Sequence, residues 1–265
     1  MHIVTSPDGT PIAVDRVGEG PAVVLVGGAF QHRAIDEPTA RLAALLGERF
    51  TVHHYDRRGR GDSGDTAPYA PEREVEDLAA VIEAAGGSAR VFAMSSGGAL
   101  ALDAARAGLP IRKLALYEPP FIVDASRPPV PADYREHLTA LAAGGRHGEA
   151  VEYFLTRAVG LPAEMVAGMR QAPIWPVFEK VAPTLAYDAA FVAEHMAGSA
   201  EPLRRWTGVE VPALVVTGGA SPEHFHTGAD ALAAVLPGAQ RRTLPGQTHE
   251  VDPEQLAPVL SEFFH

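Results

Sequence analysis

The sequence predicts an α/β protein, a mostly parallel eight-stranded sheet flanked by helices, with a helical cap inserted after the sixth strand. Three observations carry that expectation. Short continuous apolar runs such as Ala22-Val23-Val24-Leu25-Val26 suit strands buried on both faces. They alternate with segments of helical periodicity, the pattern of βαβ units. After Glu118-Pro119-Pro120 the alternation stops, helical stretches follow one another, and strand signals resume only at Ala213-Leu214-Val215-Val216-Thr217.

The elements follow in order. Residues 3–5 and 12–17 flank Pro7-Asp8-Gly9, where proline fixes φ and glycine accepts a positive one, so a hairpin is expected. The strand over 22–26 stops at Gly27-Gly28, and Leu42, Leu45 and Leu46 then share one helical face. Residues 50–55 read as the fourth strand. Over 71–85 a helix places Val75, Leu78, Val81 and Ile82 on one side and Glu72, Glu74, Glu76 and Asp77 largely on the other. A strand over 89–94, a helix over 97–107 and a strand over 113–117 continue the alternation. The cap helices are expected over 133–143, 147–159, 163–171, 174–181 and 184–196. Residues 126–131 lead into them and 207–212 lead out, which divides the chain into a core of 1–120 and 208–265 and a cap of 121–207. The last elements are a strand over 213–217, a helix near 227–236, a short strand over 240–244 and a helix over 253–264. Pro253 opens that helix and Asp252 suits its N-cap.

Composition narrows the function classes. At 265 residues, 46% hydrophobic and 21% charged, the chain is long enough to bury a sizeable core. It has no cysteine, so neither disulfides nor thiolate chemistry are available to it. A net charge of −11 argues against a nucleic-acid backbone or an anionic membrane surface as partner. No apolar run is long enough to span a bilayer, and the first residues lack the basic-then-apolar pattern of a signal peptide; a cytoplasmic location is expected.

Chemistry is most legible in Val91-Phe92-Ala93-Met94-Ser95-Ser96-Gly97-Gly98. A serine hydroxyl needs a base and a rigid pose to act as a nucleophile. A strand–turn–helix elbow supplies the pose, projecting Oγ above the sheet edge beside backbone N–H groups, and it requires small flanking residues such as Ala93, Gly97 and Gly98. Taken alone, the motif leaves a second reading open: Ser95 and Ser96 could simply cap the helix that follows. The arginine- and glycine-rich stretch from Asp56 to Gly64 lacks the spacing and lysine of a phosphate-binding loop and reads as a structural loop near the mouth of a site. His224 and His226 read as solvated loop residues, and His53 and His54 as packed within a strand.

The order of elements, with the elbow after the fifth strand, resembles the α/β-hydrolase family over essentially the whole chain. Gly27-Gly28 falls where that family usually has His-Gly, and Gly246-Gln247-Thr248-His249 falls where its catalytic histidine loop lies. The resemblance implies Ser95 as nucleophile and His249 as base, with the oxyanion held by the N–H groups of Ala29 and Ser96. Phe30 is the neighbouring possibility for the first of these donors. The family's usual aspartate after the seventh strand is replaced here by Ser221, so the acid is either missing or moved. Some members carry it at the end of the sixth strand, where this chain has Glu118; Glu223 and Asp230 are the alternatives. Gly28, Phe30, Met94, Phe121 and Trp175 are the expected substrate contacts, and the reaction calls for no metal and no cofactor.

The expectation is therefore a cofactor-free serine hydrolase acting on a small carboxylic ester or lactone. The Ser-Ser-Gly elbow together with a glutamate after the sixth strand also resembles lactonases of the zearalenone-hydrolase type. The replaced aspartate keeps two other readings open, a non-hydrolytic small-molecule-binding homologue and a cofactor-free lyase or oxygenase on the same scaffold.

Overall fold

The computed structural model describes residues 1–265. Its centre is one eight-stranded sheet. The strands are β1 (His2–Thr5), β2 (Pro11–Val17), β3 (Ala22–Val26), β4 (Thr51–Tyr55), β5 (Ala89–Met94), β6 (Ile111–Tyr117), β7 (Ala213–Gly218) and β8 (Gln240–Leu244). Their spatial order is β1-β2-β4-β3-β5-β6-β7-β8. Only the pairings of β2, with β1 and with β4, are antiparallel; every other neighbour runs parallel. The first hairpin and the run of parallel crossovers are those the sequence predicts.

The central strands feed two cores. Val24, Val26, Val91, Ala93, Leu114, Leu116 and Val215 point to one face, and their neighbours Val23, Leu25, Phe92, Ala115, Tyr117, Leu214 and Val216 to the other. This is the period-2 alternation of a strand whose two faces are both covered. Helices α1 (Glu37–Leu46) and α10 (Pro253–Phe264) cover the second face. Asp36 and Asp252 cap them, accepting from the N–H groups of Thr39 (3.1 Å) and Glu254 (2.9 Å). Helices α2 (Pro71–Ala84), α3 (Gly97–Arg106) and α9 (Glu223–Val235) cover the first face.

Between β6 and β7 lies a block of helices, α4 (Tyr134–Ala143), α5 (His147–Phe154), α6 (Ala163–Met169), α7 (Trp175–Val181) and α8 (Leu185–Val192). Two of the predicted cap helices break up. The stretch over 147–159 changes at Leu155–Val159 to a π-helical turn that ends on Gly160 in the left-handed region. The stretch over 184–196 ends in a 3₁₀ turn, Ala193–Met196. A further 3₁₀ turn, Glu201–Trp206, had no periodic signal in the sequence. The interior of the block, including Val151, Leu155, Leu185 and Val192, is continuous with the first core of the sheet.

His195 sits where the block joins the sheet. It is fully buried, with ring centroids 4.4 Å from Trp206 and 5.2 Å from Phe121, and neither ring nitrogen has a hydrogen-bond partner. Burial, helped by the nearby Arg205 charge, pushes its pKa down to about 3. The unfolded chain therefore binds a proton that the folded chain refuses between its ordinary value near 6.5 and about 3. The contribution of His195 to stability is intact above that window and lost as pH falls through it, by at most about 1.4 kcal/mol per pH unit. Urea midpoints taken from pH 7 to pH 4 are expected to fall more steeply in the wild type than in His195→Leu; equal slopes would exclude this account.

Candidate active site

Four chain segments meet at the carboxyl ends of the central strands. The chain has three non-glycine residues with positive φ, Phe30 (63°), Ser95 (54°) and Glu118 (45°), and all three lie here. Such backbone is unfavourable for residues carrying a Cβ and persists only where the surroundings impose it. At Ser95 they do. Its N–H donates to Tyr117 O (2.9 Å) and its carbonyl accepts from Gly98 N (2.9 Å), closing a sharp turn between β5 and α3. The turn is packed against the β3 loop so tightly that a Cβ on Gly28 would lie 2.8 Å from Ser95 Cβ, and one on Gly97 would lie 2.6 Å from Gly27 O. The helix-capping alternative is not what the structure contains: α3 has no side-chain cap, and Ser96 Oγ bonds elsewhere.

Glu118 follows β6 and is completely buried. Its Oε1 accepts the N–H of Gly218 at the end of β7 (2.7 Å), and its Oε2 lies 2.9 Å from His249 Nδ1. Gly218 permits this crossing because a Cβ there would strike Gln247 O at 2.3 Å. Two further contacts hold the histidine loop. Tyr117 Oη donates to Thr248 O (2.5 Å), and the His249 ring stacks on Phe225 with centroids 4.9 Å apart. A carboxylate on Nδ1 fixes the tautomer in which Nε2 is the proton acceptor.

Ser95 and His249 open onto one cavity of about 620 Å³, lined also by Ala29, Phe30, Met94 and Ser96. Its far walls are mainly apolar and come from the helical block: Phe154, Leu155 and Val159 around the π turn, then Val192 and Met196. Phe30 stacks on Phe178 (4.4 Å) and meets Phe154 edge-on (5.1 Å), so an aromatic cluster joins the β3 loop to α5 and α7. The N–H groups of Ala29, Phe30 and Ser96 donate to no protein acceptor, which leaves them free for a ligand oxygen beside Ser95.

Three expected substrate contacts do not line this cavity. Phe121 is fully buried and stacks on Trp206, because the chain after Pro119-Pro120 turns its ring into the core against α9. Trp175 opens α7 with Pro176 in the helix's first turn; the proline continues the helix rather than breaking it, and the indole packs inward, donating from Nε1 to Glu179 (3.0 Å). Gly28 acts from behind Ser95 rather than from the cavity wall. Ser221 is buried, and its hydroxyl has no partner. Of the alternative acids, Glu223 is exposed and Asp230 pairs with Arg241 at the surface (2.8 Å). His224, expected in solvent, is instead buried on the cavity wall in the first turn of α9, which starts four residues before the predicted helix. Burial first, then Arg127, pushes its pKa down to about 4 and keeps it neutral.

Sequence reasoning also missed the partners of the loop after β4. Arg57, Arg58 and Arg60 are all buried and all paired. Arg57 holds Glu74 through two bonds (2.6 and 2.9 Å) and Asp188 of α8 through a third (2.7 Å). Arg58 holds Asp77 through two bonds, each 2.7 Å. Arg60 holds the other oxygen of Asp188 (2.6 Å). Glu74 and Asp77, expected on the solvated side of α2, are therefore buried counter-ions. Burial alone would raise the Asp188 pKa, but Arg60 and Arg57 outweigh it and hold the carboxyl below its usual range. The one available signal was the density of arginines beside acids on a helix that also has an apolar face.

The sequence pattern of the alpha/beta hydrolase family matches residues 23–259, and the chain belongs to that family. It is similar to the solved structure of an alpha/beta hydrolase from Sphaerobacter thermophilus DSM 20745, with 55% identity, 100% of each chain covered and a TM-score of 0.90. It is also similar to a thermophilic esterase from Thermogutta terrifontis (23% identity, 98% of this chain and 96% of that one, TM-score 0.71). The enol-lactonase from Burkholderia xenovorans LB400 is a further neighbour (21% identity, 99% of each chain, TM-score 0.67). These last two likenesses are of fold. A search of curated proteins gave no match. No helix is long and apolar enough to cross a membrane.

The buried ion pairs carry a stability prediction. Arg58→Met leaves Asp77 as an uncompensated buried charge and is expected to cost about 3–5 kcal/mol in urea unfolding. Arg58→Met combined with Asp77→Leu should recover part of that loss, since Asp8, which also pairs with Arg58 (3.0 Å), stays without its partner; a double variant no more stable than the single one would refute the assignment.

Proposed function

We propose that this chain is a serine hydrolase of small carboxylic esters or lactones, with Ser95 as nucleophile, His249 as general base and Glu118 as the triad acid. One observation carries the reading. A fully buried carboxylate is anchored by a backbone N–H on one oxygen and lies 2.9 Å from the His249 ring on the other, while that histidine shares a cavity with a serine on a strained elbow. In this role Glu118 takes the post that Ser221 cannot fill.

The chemistry follows from that arrangement. Ser95 Oγ attacks the carbonyl carbon as His249 Nε2 takes its proton, and Glu118 stabilises the resulting imidazolium. The N–H groups of Ala29 and Ser96 receive the oxyanion, an interaction worth about 3 kcal/mol per donor. Collapse of the tetrahedral intermediate expels the alkoxide, which recovers the proton from His249. Water, activated by the same histidine, then releases the acid and frees Ser95. A lactone differs only in that the leaving alkoxide stays tethered to the acyl group. The helical block over 121–207 acts as the cap: its apolar wall suits a mainly apolar acyl or alcohol group. The esterase and enol-lactonase among the structural neighbours are consistent with this substrate class.

The expected outcome is covalent labelling of the protein by a fluorophosphonate and turnover of a short p-nitrophenyl ester, both abolished by Ser95→Ala. Glu118→Gln, which keeps the shape but not the charge, is expected to lower kcat by about 10³–10⁴. Absence of labelling and of turnover in the wild type would overturn the hydrolase reading; a near-wild-type rate in Glu118→Gln would take the acid role from that residue.

A further inference from the structure

We infer that one buried ionic cluster, centred on Asp188 of α8, positions both oxyanion donors, so that docking of the helical block and assembly of the oxyanion site are a single event. The inference rests on the hydrolase reading above, since it assigns a role to groups flanking Ser95.

The two donors sit on different loops, and each is tied to the same carboxylate. The Ala29 N–H belongs to the peptide plane that carries the Gly28 carbonyl. Arg60 Nη1 donates to that carbonyl at 2.5 Å, which fixes the plane's tilt and polarises its N–H in the direction an oxyanion needs. The other arm of Arg60 donates to Asp188 Oδ2 (2.6 Å), and its Nε donates to Thr184 Oγ1 (3.1 Å) just before α8. On the second donor, the Ser96 hydroxyl donates to Asp188 Oδ1 at 2.8 Å. The same oxygen accepts from Arg57 Nη1 (2.7 Å), which also reaches Gly27 O (3.3 Å).

A residue serving only to fasten α8 to the sheet would need the two arginines and nothing more. Here the bonds continue past them to the Gly28–Ala29 peptide, which carries one proposed donor, and to the side chain of Ser96, the residue that carries the other. Charge balance fits the same role. A lone carboxylate beside the oxyanion would oppose it, but Arg57 and Arg60 face Asp188 and Glu74, two cations against two anions. The cluster thus presents fixed hydrogen-bonding directions without a net negative field. All four side chains are buried, so these directions are not loosened by exchange with water. Asp188, Arg60 and the Ser96 hydroxyl are in this account positioning groups; none of them touches the reacting atoms.

The test compares Ser96→Ala, Asp188→Asn and Arg60→Lys with wild type, using p-nitrophenyl acetate turnover and inhibition by phenylboronic acid. The boronate adds to Ser95 Oγ to give a tetrahedral adduct with an oxygen in the oxyanion site. Ser96→Ala is the decisive variant because it deletes a single oxygen and leaves every arginine–carboxylate pair intact. Its melting temperature is read alongside to establish folding. The expected result is a kcat lower by about 10–100-fold, somewhat less than removal of a donor outright, with KM within twofold. Across the three variants the boronate Ki rises by the factor by which kcat/KM falls. A folded Ser96→Ala with kcat within twofold of wild type, or a loss confined to KM with boronate Ki unchanged, overturns the inference. Should the wild type show no turnover and no labelling, the hydrolase reading itself fails; an active wild type beside an unimpaired Ser96→Ala removes only the role given to the cluster.

Discussion

Three guanidinium groups are sealed beneath the carboxyl edge of this sheet, and the need to neutralise them organises what surrounds them. Removing a charge from water is costly unless a counter-ion and hydrogen bonds replace the lost hydration. Arg57 and Arg60 satisfy that requirement only by drawing Glu74 from the sheet's helical layer and Asp188 from the helical block into one place. The loop after β4 can therefore adopt its buried path only if α2 and α8 are both in position. Such pairs add little net stability over an apolar core, but they admit few alternative arrangements. What they supply here is register between parts of the chain far apart in sequence.

The same edge concentrates backbone strain. Phe30, Ser95 and Glu118 each hold a conformation that a free peptide avoids, and each is held by close backbone contact: the β3 loop against the elbow, the end of β6 against β7, and the histidine loop against Gly218. Glycines at 28, 97 and 218 make these approaches feasible, since a side chain at any of them would overlap a neighbouring atom. The proposed nucleophile and base gain from rigid placement, and the strain is sustained by the well-packed strands on either side.

Most of the architecture was legible in the sequence because buried parallel strands and amphipathic helices write their periods directly into it. The strand boundaries, the hairpin at Pro7-Asp8-Gly9, the elbow and the aspartate cap of α10 all follow from local rules. Less legible were features set by contacts between distant segments. Glu74 and Asp77 look like a solvated helix face until Arg57 and Arg58 are folded over them. Trp175, flanked by Pro173 and Pro176, looks free to meet a substrate until α7 is seen to turn its indole inward onto Glu179. His224 looks like a loop residue because nothing nearby in sequence announces an earlier start to α9.

The sequence by itself determined the order of strands and helices, the serine on its elbow, the histidine near the end of the chain, and the absence of a carboxylate at position 221. These depend on residue type and short-range spacing, which the chain carries whatever its fold. Only the tertiary structure decided that Glu118 meets His249 and Gly218, that Phe121 faces the core rather than the cavity, and that Asp188 joins both loops beside Ser95. Those outcomes depend on which side chains the packed sheet brings within bonding distance across as many as 131 positions of sequence, and no local pattern encodes that distance.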